Sequence, residues 1–459
     1  MLEAVLCVVA LVLAGWAIAK NYDAKVVLFL TGLVLLYLAV LLGHPAIAAK
    51  ASSGLSWVDP FKVLKELFVK QYSNAGLIIL TLFGFAAYMS HIGANQKVIE
   101  VLSKPLSRIR SPYILVPLVF WIGTALSIII PSASSLSVIL MATLYPVLRA
   151  AKMTPLTAAG VIATTATIVP TPLGGDNVVA ARVLGFEHVV DYVVYHHAVL
   201  TLPALAIMGV AHYFWQRWMD KREPASGEME LDESKLKTEN TNAPTYYALF
   251  PVLPLLLTII FWLFFKQAKV GLVEITLFSF AVAFVCEVMR RRADPATTSR
   301  KMIADANLFF KGMGDGFSKV VVLIVAASTM VAGLSAMGLI DMISQSLADV
   351  QNASTGLMFA FSGITALITF ISGSGNAVFY SFIELIPQIA DKAGIDPIMI
   401  ALPMQCTSNL FRAVSPVAAV TIIVAAVIRE NPLNVVKRTC VPLIAGEIAV
   451  LIGAYIRYL

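Results

Sequence analysis

The chain has 459 residues, of which 59% are hydrophobic and 13% charged, against a charged share of about a quarter in soluble domains. This composition excludes a soluble globular protein and indicates an integral membrane protein. The net charge of +6 does not indicate a nucleic-acid partner, because the Lys and Arg residues lie in loops between apolar segments. The four cysteines are scattered without CxxC or metal-ligand spacing, which predicts free thiols.

Apolar segments long enough to cross about 30 Å of hydrocarbon recur along the chain. They predict an all-α polytopic protein with about ten transmembrane helices, at 2–19, 26–43, 75–91, 154–185, 192–214, 246–265, 270–289, 318–340, 395–428 and 436–456. Two further segments, 113–150 and 354–390, each have a small polar cluster near the middle. This pattern favours two re-entrant hairpins, which enter the membrane and leave on the same side.

Two stretches of the chain repeat one pattern. Residues 131–135 (PSASS) and 372–376 (SGSGN) each precede an apolar arm that ends in a proline, and the interval from Ser134 to Pro146 equals that from Gly375 to Pro387. A long helix follows each arm. It is predicted to be broken around 170–177 in the first half and around 407–416 in the second. Paired Gly/Pro interruptions in two hydrophobic halves are the best sequence indication of a transporter binding site.

Loop charges predict the orientation of the two hairpins. The first is flanked by basic residues, which indicates cytoplasmic ends, whereas the second is flanked mainly by acidic and polar residues and is predicted to open outward. The chain is therefore predicted to contain two inverted repeats, 1–215 and 244–459, joined by a cytoplasmic linker over 216–243, with both termini outside. Amphipathic patterns near 50–70 and 300–319 predict a pair of interfacial helices that brace a moving unit against a scaffold.

The two hairpin tips and the two helix breaks supply the predicted binding residues. Hydroxyls and free N–H groups where helix ends meet can bind an anion, and nearby carbonyls can bind a cation. The predicted substrate-binding residues are Ser132, Ser134, Ser135, Thr171, Ser372, Ser374, Asn376, Ser408, Asn409, Arg412 and Ser415. Ion-coupling candidates are Ser134, Asp176, Asn177, Asn376 and Thr407. The alternative is that these small polar residues only allow close helix packing.

Ionisable residues inside a membrane are costly and indicate function by default. Arg412 has a planar fork suited to a carboxylate, or it forms a structural ion pair with Asp176. Asp176 could instead coordinate Na⁺ or carry a proton. Glu384, on the return arm of the second hairpin, and the pair His196 and His197 are weaker candidates. No His/Glu pattern suggests a zinc site and no Gly-rich loop ends in Gly-Lys-Ser/Thr, so a nucleotide-driven pump is not expected.

Several stretches resemble the anaerobic C4-dicarboxylate carriers of the DcuC type, within the ion-transporter superfamily. The resembling residues are 84–95 (GFAAYMSHIGAN), 140–144 (LMATL), 212–217 (HYFWQR), 372–377 (SGSGNA), 408–416 and 435–439 (VVKRT). The match runs in collinear order through nearly the whole chain. In related carriers of the superfamily, Ser-Asn-Thr motifs at both tips bind carboxylates and sodium. The first tip of this chain lacks the Asn that Asn376 supplies in the second.

The resemblance implies exchange of fumarate, succinate, malate or aspartate across a bacterial inner membrane, often as succinate efflux. It also implies a homodimer, embedded in the lipid bilayer, whose hairpin-bearing domains move as elevators, with Na⁺ or H⁺ as the coupling ion and no other cofactor. We therefore expect a secondary transporter, an antiporter or succinate exporter, and not an enzyme. One alternative is the same fold carrying another solute, such as a basic amino acid or an aryl-conjugated acid. Another is an anion channel.

Overall fold

The computed structural model describes residues 2–20, 22–104, 106, 109, 111–222, 243–265, 267–291, 299–339, 342 and 353–458. Every regular element in these ranges is helical, as predicted. Ten helical segments of the described chain are long and apolar enough to cross a membrane, which is the predicted number. Two members of the set differ from the prediction. In each hairpin, the helix that precedes the tip is long enough to span the membrane. The predicted spans 154–185 and 246–265 contain only shorter helices.

The first half of the chain contains twelve described α-helices, α1 to α12. Pro117 and Pro203 lie inside two of these helices, where each proline removes one backbone hydrogen bond. The helices are α1 (Leu2–Ala19), α2 (Ala24–Leu41), α3 (Asp59–Gln71), α4 (Leu77–His91), α5 (Ala94–Ser103), α6 (Pro112–Ile129), α7 (Ala133–Thr143), α8 (Tyr145–Ala150), α9 (Pro155–Thr164), α10 (Gly175–Val183), α11 (Val189–Tyr192) and α12 (Ala198–Arg222).

The second half repeats the order of long helices, hairpin, broken helix and closing helix. Its described helices are α13 (Leu253–Phe264), α14 (Leu272–Arg291), α15 (Ser299–Gly316), α16 (Val322–Ala336), α17 (Ala353–Ser372), α18 (Gly375–Ile383), α19 (Ile386–Ala393), α20 (Ile398–Val414), α21 (Ala419–Val427) and α22 (Pro432–Tyr458). The linker predicted over 216–243 begins too early, because residues 216–222 belong to α12. Residues 223–242 lie outside the described ranges, as do most polar residues before the second hairpin.

The two amphipathic segments are not separate interfacial helices. Each continues into the next spanning helix through one π-helical turn, Tyr72–Gly76 between α3 and α4 and Phe317–Val321 between α15 and α16. We call these continuous helices the two arms. They pack against each other, α4 on α15 and α3 on α16, while α2 packs along α16. The π turns stand at matching places in the two halves, where the amphipathic pattern gives way to a fully apolar one.

Glycines let the arms and α2 approach closely. A Cβ added at Gly32 of α2 would lie 2.5 Å from Met330 N of α16, and one at Gly84 of α4 would lie 2.7 Å from Phe309 O of α15. Gly333 and Gly312 make the reciprocal approaches from α16 and α15. Small residues at helix crossings allow dispersion contacts between backbones, which is the main packing force in lipid.

The two predicted hairpins are present, with helices α6 and α7–α8 around the first tip and α17 and α18–α19 around the second. The first helix break extends from Thr165 to Gly174, close to its predicted position. The second break was predicted too early. Residues 407–412 belong to α20, and the break begins at Ser415, where Pro416 disfavours helical backbone in the residue before it.

Candidate functional site

A cavity of about 470 Å³ lies between the two hairpin tips and the arms. Ser132, Ser134 and Ser135 of the first tip and Ser374 and Asn376 of the second line it together, so residues about 240 positions apart meet at one place. The arms contribute Ser90, Asp315 and Lys319 from the other side, and Arg412 reaches in from α20. Convergence of the two tips was the central sequence prediction, and the geometry agrees with it.

Four helices begin at this cavity. Helices α7, α10, α18 and α21 start at Ala133, Gly175, Gly375 and Ala419, and each of these first residues lines the cavity. Each helix is at least nine residues long. A helix N-terminus carries roughly half a positive charge and unpaired N–H groups, so four of them together supply about two charges. This arrangement suits an anion carrying two negative charges.

The first tip is shaped by hydroxyl groups. Ser132 caps α7, with its Oγ accepting a bond from Ser135 N at 3.4 Å and donating to Ser135 Oγ at 2.9 Å. Ser134 lines the cavity, and its carbonyl accepts from Ser137 Oγ. This cap satisfies one N–H of α7 and leaves the other first-turn donors for a ligand.

The second tip is shaped by glycines. Gly373 has a φ of +71°, a conformation that favours glycine. A Cβ on Gly375 would lie 2.2 Å from Ser408 O, so the tip rests directly on the backbone of α20. Ser374, the residue before α18, makes no side-chain cap, and its N–H donates to Ser372 Oγ at 3.3 Å. Asn376 therefore reaches the cavity from an uncapped helix start.

Arg412 is held by backbone and not by a carboxylate. Its Nη2 donates to Ala166 O, in the first helix break, at 2.7 Å, while its buried Nε has no hydrogen-bond partner. The predicted alternative, an ion pair with Asp176, is wrong in this conformation, since no charged atoms of the two approach within 4.0 Å. Arg412 lines the cavity, so its positive charge lies where an anion would bind.

Asp176 and Asn177 are bound by α20 instead. Asp176 Oδ2 accepts from Gln405 Nε2 at 3.1 Å and from Asn409 Nδ2 at 2.8 Å. Gln405 Nε2 also donates to Asn177 Oδ1 at 2.8 Å, and its Oε1 accepts from Tyr192 Oη at 2.5 Å. Gln405 and Tyr192 were absent from the sequence-based candidates. A polar Gln in an apolar helix, four residues before Asn409, was the signal available for the first; nothing local indicated Tyr192.

A second, smaller cavity of about 40 Å³ lies beneath the tips. It is lined by Thr171, Asp176, Asn376, Asn409 and Arg412 among others, so it lies between the first break, the second tip and α20. Within the described ranges no group of three or more His, Cys, Asp or Glu residues could hold a metal ion. The amide of Asn177 already donates to Val169 O and Thr171 O, which leaves fewer free carbonyls for Na⁺ here.

Other predicted site residues line neither cavity. Thr407 Oγ1 lies within hydrogen-bond distance of Pro403 O and Glu447 Oε1. Ser408 Oγ donates to Gln405 O, and Ser415 Oγ accepts from Val417 N. Ser372 and Asn177 support the tip and the break through the bonds given above. These residues shape the elements that carry the site.

The weaker candidates lie away from both cavities. Glu384 Oε1 accepts from Gln71 Nε2 of the first arm at 3.1 Å. His196 Nδ1 lies 2.9 Å from Tyr458 Oη, and His197 Nδ1 lies 3.3 Å from Thr201 Oγ1. Sequence reasoning overlooked Lys319, a second cation at the main cavity, which pairs with Asp315 at 2.9 Å. Lys319 fits the regular amphipathic pattern of its segment, so no feature of the sequence distinguished it from a surface lysine.

Known proteins are similar to this chain in sequence and in fold. The family model described as the C4-dicarboxylate anaerobic carrier, DcuC, matches residues 2–458. The anaerobic C4-dicarboxylate transporter DcuC of Escherichia coli (strain K12) is 36% identical over 456 residues, covering 98% of this chain and 96% of that protein. The probable anaerobic C4-dicarboxylate transporter DcuC of Vibrio cholerae is 34% identical over 461 residues, covering 99% and 98%.

Two solved structures share the fold at low sequence identity. MtrF of Neisseria gonorrhoeae, described as illuminating a class of antimetabolite efflux pumps, superposes with a TM-score of 0.60 at 15% identity, covering 95% of this chain and 96% of that one. The YdaH transporter of Alcanivorax borkumensis, described as having an unusual topology, gives a TM-score of 0.54 at 14% identity, covering 94% and 96%. With the family match over the whole chain, this protein belongs to the DcuC family of C4-dicarboxylate anaerobic carriers, which are membrane transporters and not enzymes.

Proposed function

We propose that the protein is a secondary transporter of C4-dicarboxylates such as fumarate, succinate, malate and aspartate, acting as an antiporter or succinate exporter in a bacterial inner membrane. The observation that carries the proposal is the convergence of four helix N-termini and Arg412 on one cavity. A dicarboxylate brings about two negative charges, and four helix ends supply about two positive ones. The charges of Arg412 and Asp176 offset each other, so the loaded site is close to neutral.

The size of the cavity suits this substrate class. A volume of about 470 Å³ is at the lower part of the range of about 300–1,000 Å³ found for small-molecule sites. Serine hydroxyls of the first tip and Asn376 of the second lie on opposite sides, so each tip takes one carboxylate in our proposal. Binding of one ligand by both tips would draw them together and remove water from the buried charges.

The way the helices pack supports an elevator mechanism as part of this proposal. Helices α12 and α22 pack against each other and against the helices of the breaks, which makes one unit around the site. The arms pack mainly against each other and against α2, which makes a second unit. The polar cavity lies between the two, and we propose that the first unit slides along the second. A homodimer held by the second unit would keep that unit fixed in the bilayer.

Exchange in proteoliposomes tests the substrate class. Vesicles loaded with unlabelled succinate should take up labelled succinate, and external fumarate or malate should compete. Uptake no greater than in protein-free vesicles, with protein correctly inserted, would reject the proposal. External lysine and an aryl-conjugated acid serve as competitors for the alternative solutes. Saturable counterflow would also separate a carrier from an anion channel, which would give voltage-driven currents instead.

A further inference from the structure

A buried carboxyl group on α22 plays no part in the site described above. Glu447 lies near the middle of the 27-residue helix α22 and is 7% exposed. Its Oε1 lies 2.6 Å from Thr407 Oγ1 of α20, and its Oε2 is buried without a hydrogen-bond partner. An ionised carboxylate in this environment would be costly, because it would face hydrocarbon and packed side chains with half of its bonding capacity unused.

The contact with Thr407 can accommodate a proton on Glu447. Thr407 Oγ1 also lies 2.8 Å from Pro403 O, one turn earlier in α20. A hydroxyl has a single proton and cannot donate to both oxygens. If the hydroxyl donates to the Pro403 carbonyl, Glu447 must be protonated and donate to Thr407. This series of hydrogen bonds gives a partner to each of the oxygens named here except Glu447 Oε2. In a neutral carboxyl group, that oxygen is only a weak acceptor.

No cation compensates for a charge on Glu447 in the described part of the chain. Helices α9 and α21, which pack on α22, contain no titratable side chain, and α20 offers Cys406 and Arg412. On α12 the nearest titratable group is His212. Because Gly446 lies against Met208, His212 is about four residues, or roughly 6 Å, farther along α12, and its Nε2 contacts Thr164 Oγ1. On α22 itself, the nearest charged residue toward the N-terminus is Arg438, paired with Asp220.

Glu447 lies behind the helix that presents the substrate site. Gln405 and Asn409, four residues apart, share the face of α20 that binds Asp176. Thr407 lies between them in sequence and, at about 100° per residue, points to nearly the opposite face. Glu447 and Asp176 thus contact the two faces of one helix. A change of charge at Glu447 would act on α20 directly, without occupying the cavity that binds the substrate.

We propose that Glu447 is a proton-coupling residue, which binds one proton from water in this conformation and returns it to water on the other side of the membrane. The proposal rests on the proposed function and adds the coupling ion to it. When the proton binds, one O–H bond of a hydronium ion breaks and one O–H bond forms on a carboxylate oxygen of Glu447. Release to water is the reverse step. Substrate exchange can proceed with Glu447 protonated throughout, whereas net movement of the substrate requires that the proton be released.

The variant Glu447→Gln tests this proposal in proteoliposomes, because glutamine keeps the shape of the protonated acid but cannot release a proton. We expect succinate counterflow at a rate comparable to that of the unmodified protein. Net succinate uptake driven by an inward proton gradient, and acidification reported by trapped pyranine, should both fall to the level of empty vesicles. Glu430→Gln, at a half-buried glutamate before α22 that bonds Asn434, is the matched control and should keep both.

Three results would overturn the proposal. Glu447→Gln could retain gradient-driven uptake, the unmodified protein could carry out net succinate uptake without moving protons, or a Na⁺ gradient could drive uptake in place of a proton gradient. The second and third measurements need no variant, so they decide the question even if Glu447→Gln fails to fold. Absence of succinate counterflow in the unmodified protein would instead reject the proposed function, which keeps the two failures distinct.

Discussion

Gln405 of α20 donates a hydrogen bond from Nε2 to Oδ2 of Asp176 at the start of α10, over 3.1 Å. This bond joins the broken helix of the second half to that of the first. The same amide nitrogen reaches Asn177, and the carbonyl of Gln405 accepts from Tyr192. The two broken helices are therefore joined by one polar network, and the geometry of the cavity depends on residues that need not touch the substrate.

Replacing Gln405 by Leu should impair exchange strongly. Leu removes the donor to Asp176 and leaves a buried carboxylate with fewer partners, which costs about 1.5–3 kcal/mol for a charged group, or roughly ten- to hundredfold in transport. The measurement is labelled-succinate counterflow at equal protein insertion. Gln388→Leu on the exposed part of α19 is the control, since Gln388 bonds Ser335 at the protein surface and its replacement should be tolerated. Equal effects of both changes would contradict the role of Gln405.

Arg412→Lys should lower affinity for dicarboxylates while leaving insertion intact, and Arg412→Ala should abolish exchange. Lysine keeps the charge but lacks the planar guanidinium group, which can bond a backbone carbonyl and a substrate carboxylate at the same time. Competition by unlabelled succinate measures the affinity of each variant. Arg457→Ala, near the end of α22, removes a cation that bonds Tyr195 O and should leave affinity unchanged. Near-normal affinity of Arg412→Ala would remove this residue from the site.

Gly375→Ala should reduce transport because the added methyl group would meet Ser408 O at 2.2 Å and lift the second tip from α20. Overpacking of this kind costs about 1–3 kcal/mol. Gly363→Ala, in helix α17 of the same hairpin, has open space around the added carbon and is the matched control. Counterflow and thermal stability in detergent should both fall for the first variant only. A fully active Gly375→Ala would show that the close contact of tip and helix is dispensable.

Asp220→Asn should lower the stability of the protein, although Asp220 lines neither cavity. Arg438 Nη1 pairs with Asp220 Oδ1 at 2.6 Å, and the two side chains are only 1% and 6% exposed. Thr154 and Thr157 donate to the same carboxylate oxygen, so the cluster joins α9, α12 and α22. Removing one charge of a buried pair costs about 3–5 kcal/mol, which should appear as a lower unfolding temperature in detergent.

Replacing both members of this pair by apolar residues should cost less than removing one, because no buried charge is left unpaired. The double variant Asp220→Leu with Arg438→Met is therefore expected to unfold at a higher temperature than Asp220→Asn. The reverse order would indicate that the cluster acts through its hydrogen bonds to the threonines and not through charge.

The sequence by itself determined the fold class, the two hairpins and most of the polar residues that line the cavity. Hydrophobic segments must match the bilayer thickness, and Ser/Gly clusters between apolar arms are tolerated at that depth only where their backbone groups find partners. Local composition therefore predicted Ser132, Ser134, Ser374, Asn376 and Arg412 at one site. It placed the second break too early, because the polar residues of α20 resemble an interruption although the helix continues to Val414.

Only the tertiary structure decided which polar groups are partners. Gln405 and Asp176 lie 229 positions apart, and Thr407 and Glu447 lie on different helices, so no local pattern links them. Packing assigned Asp176 to amide donors instead of Arg412 and left the guanidinium Nε free. It also brought four helix N-termini to one cavity. Buried polar groups must find partners wherever the packed helices bring donors and acceptors within reach. The hydrophobic periodicity of a single segment does not predict which helices pack together.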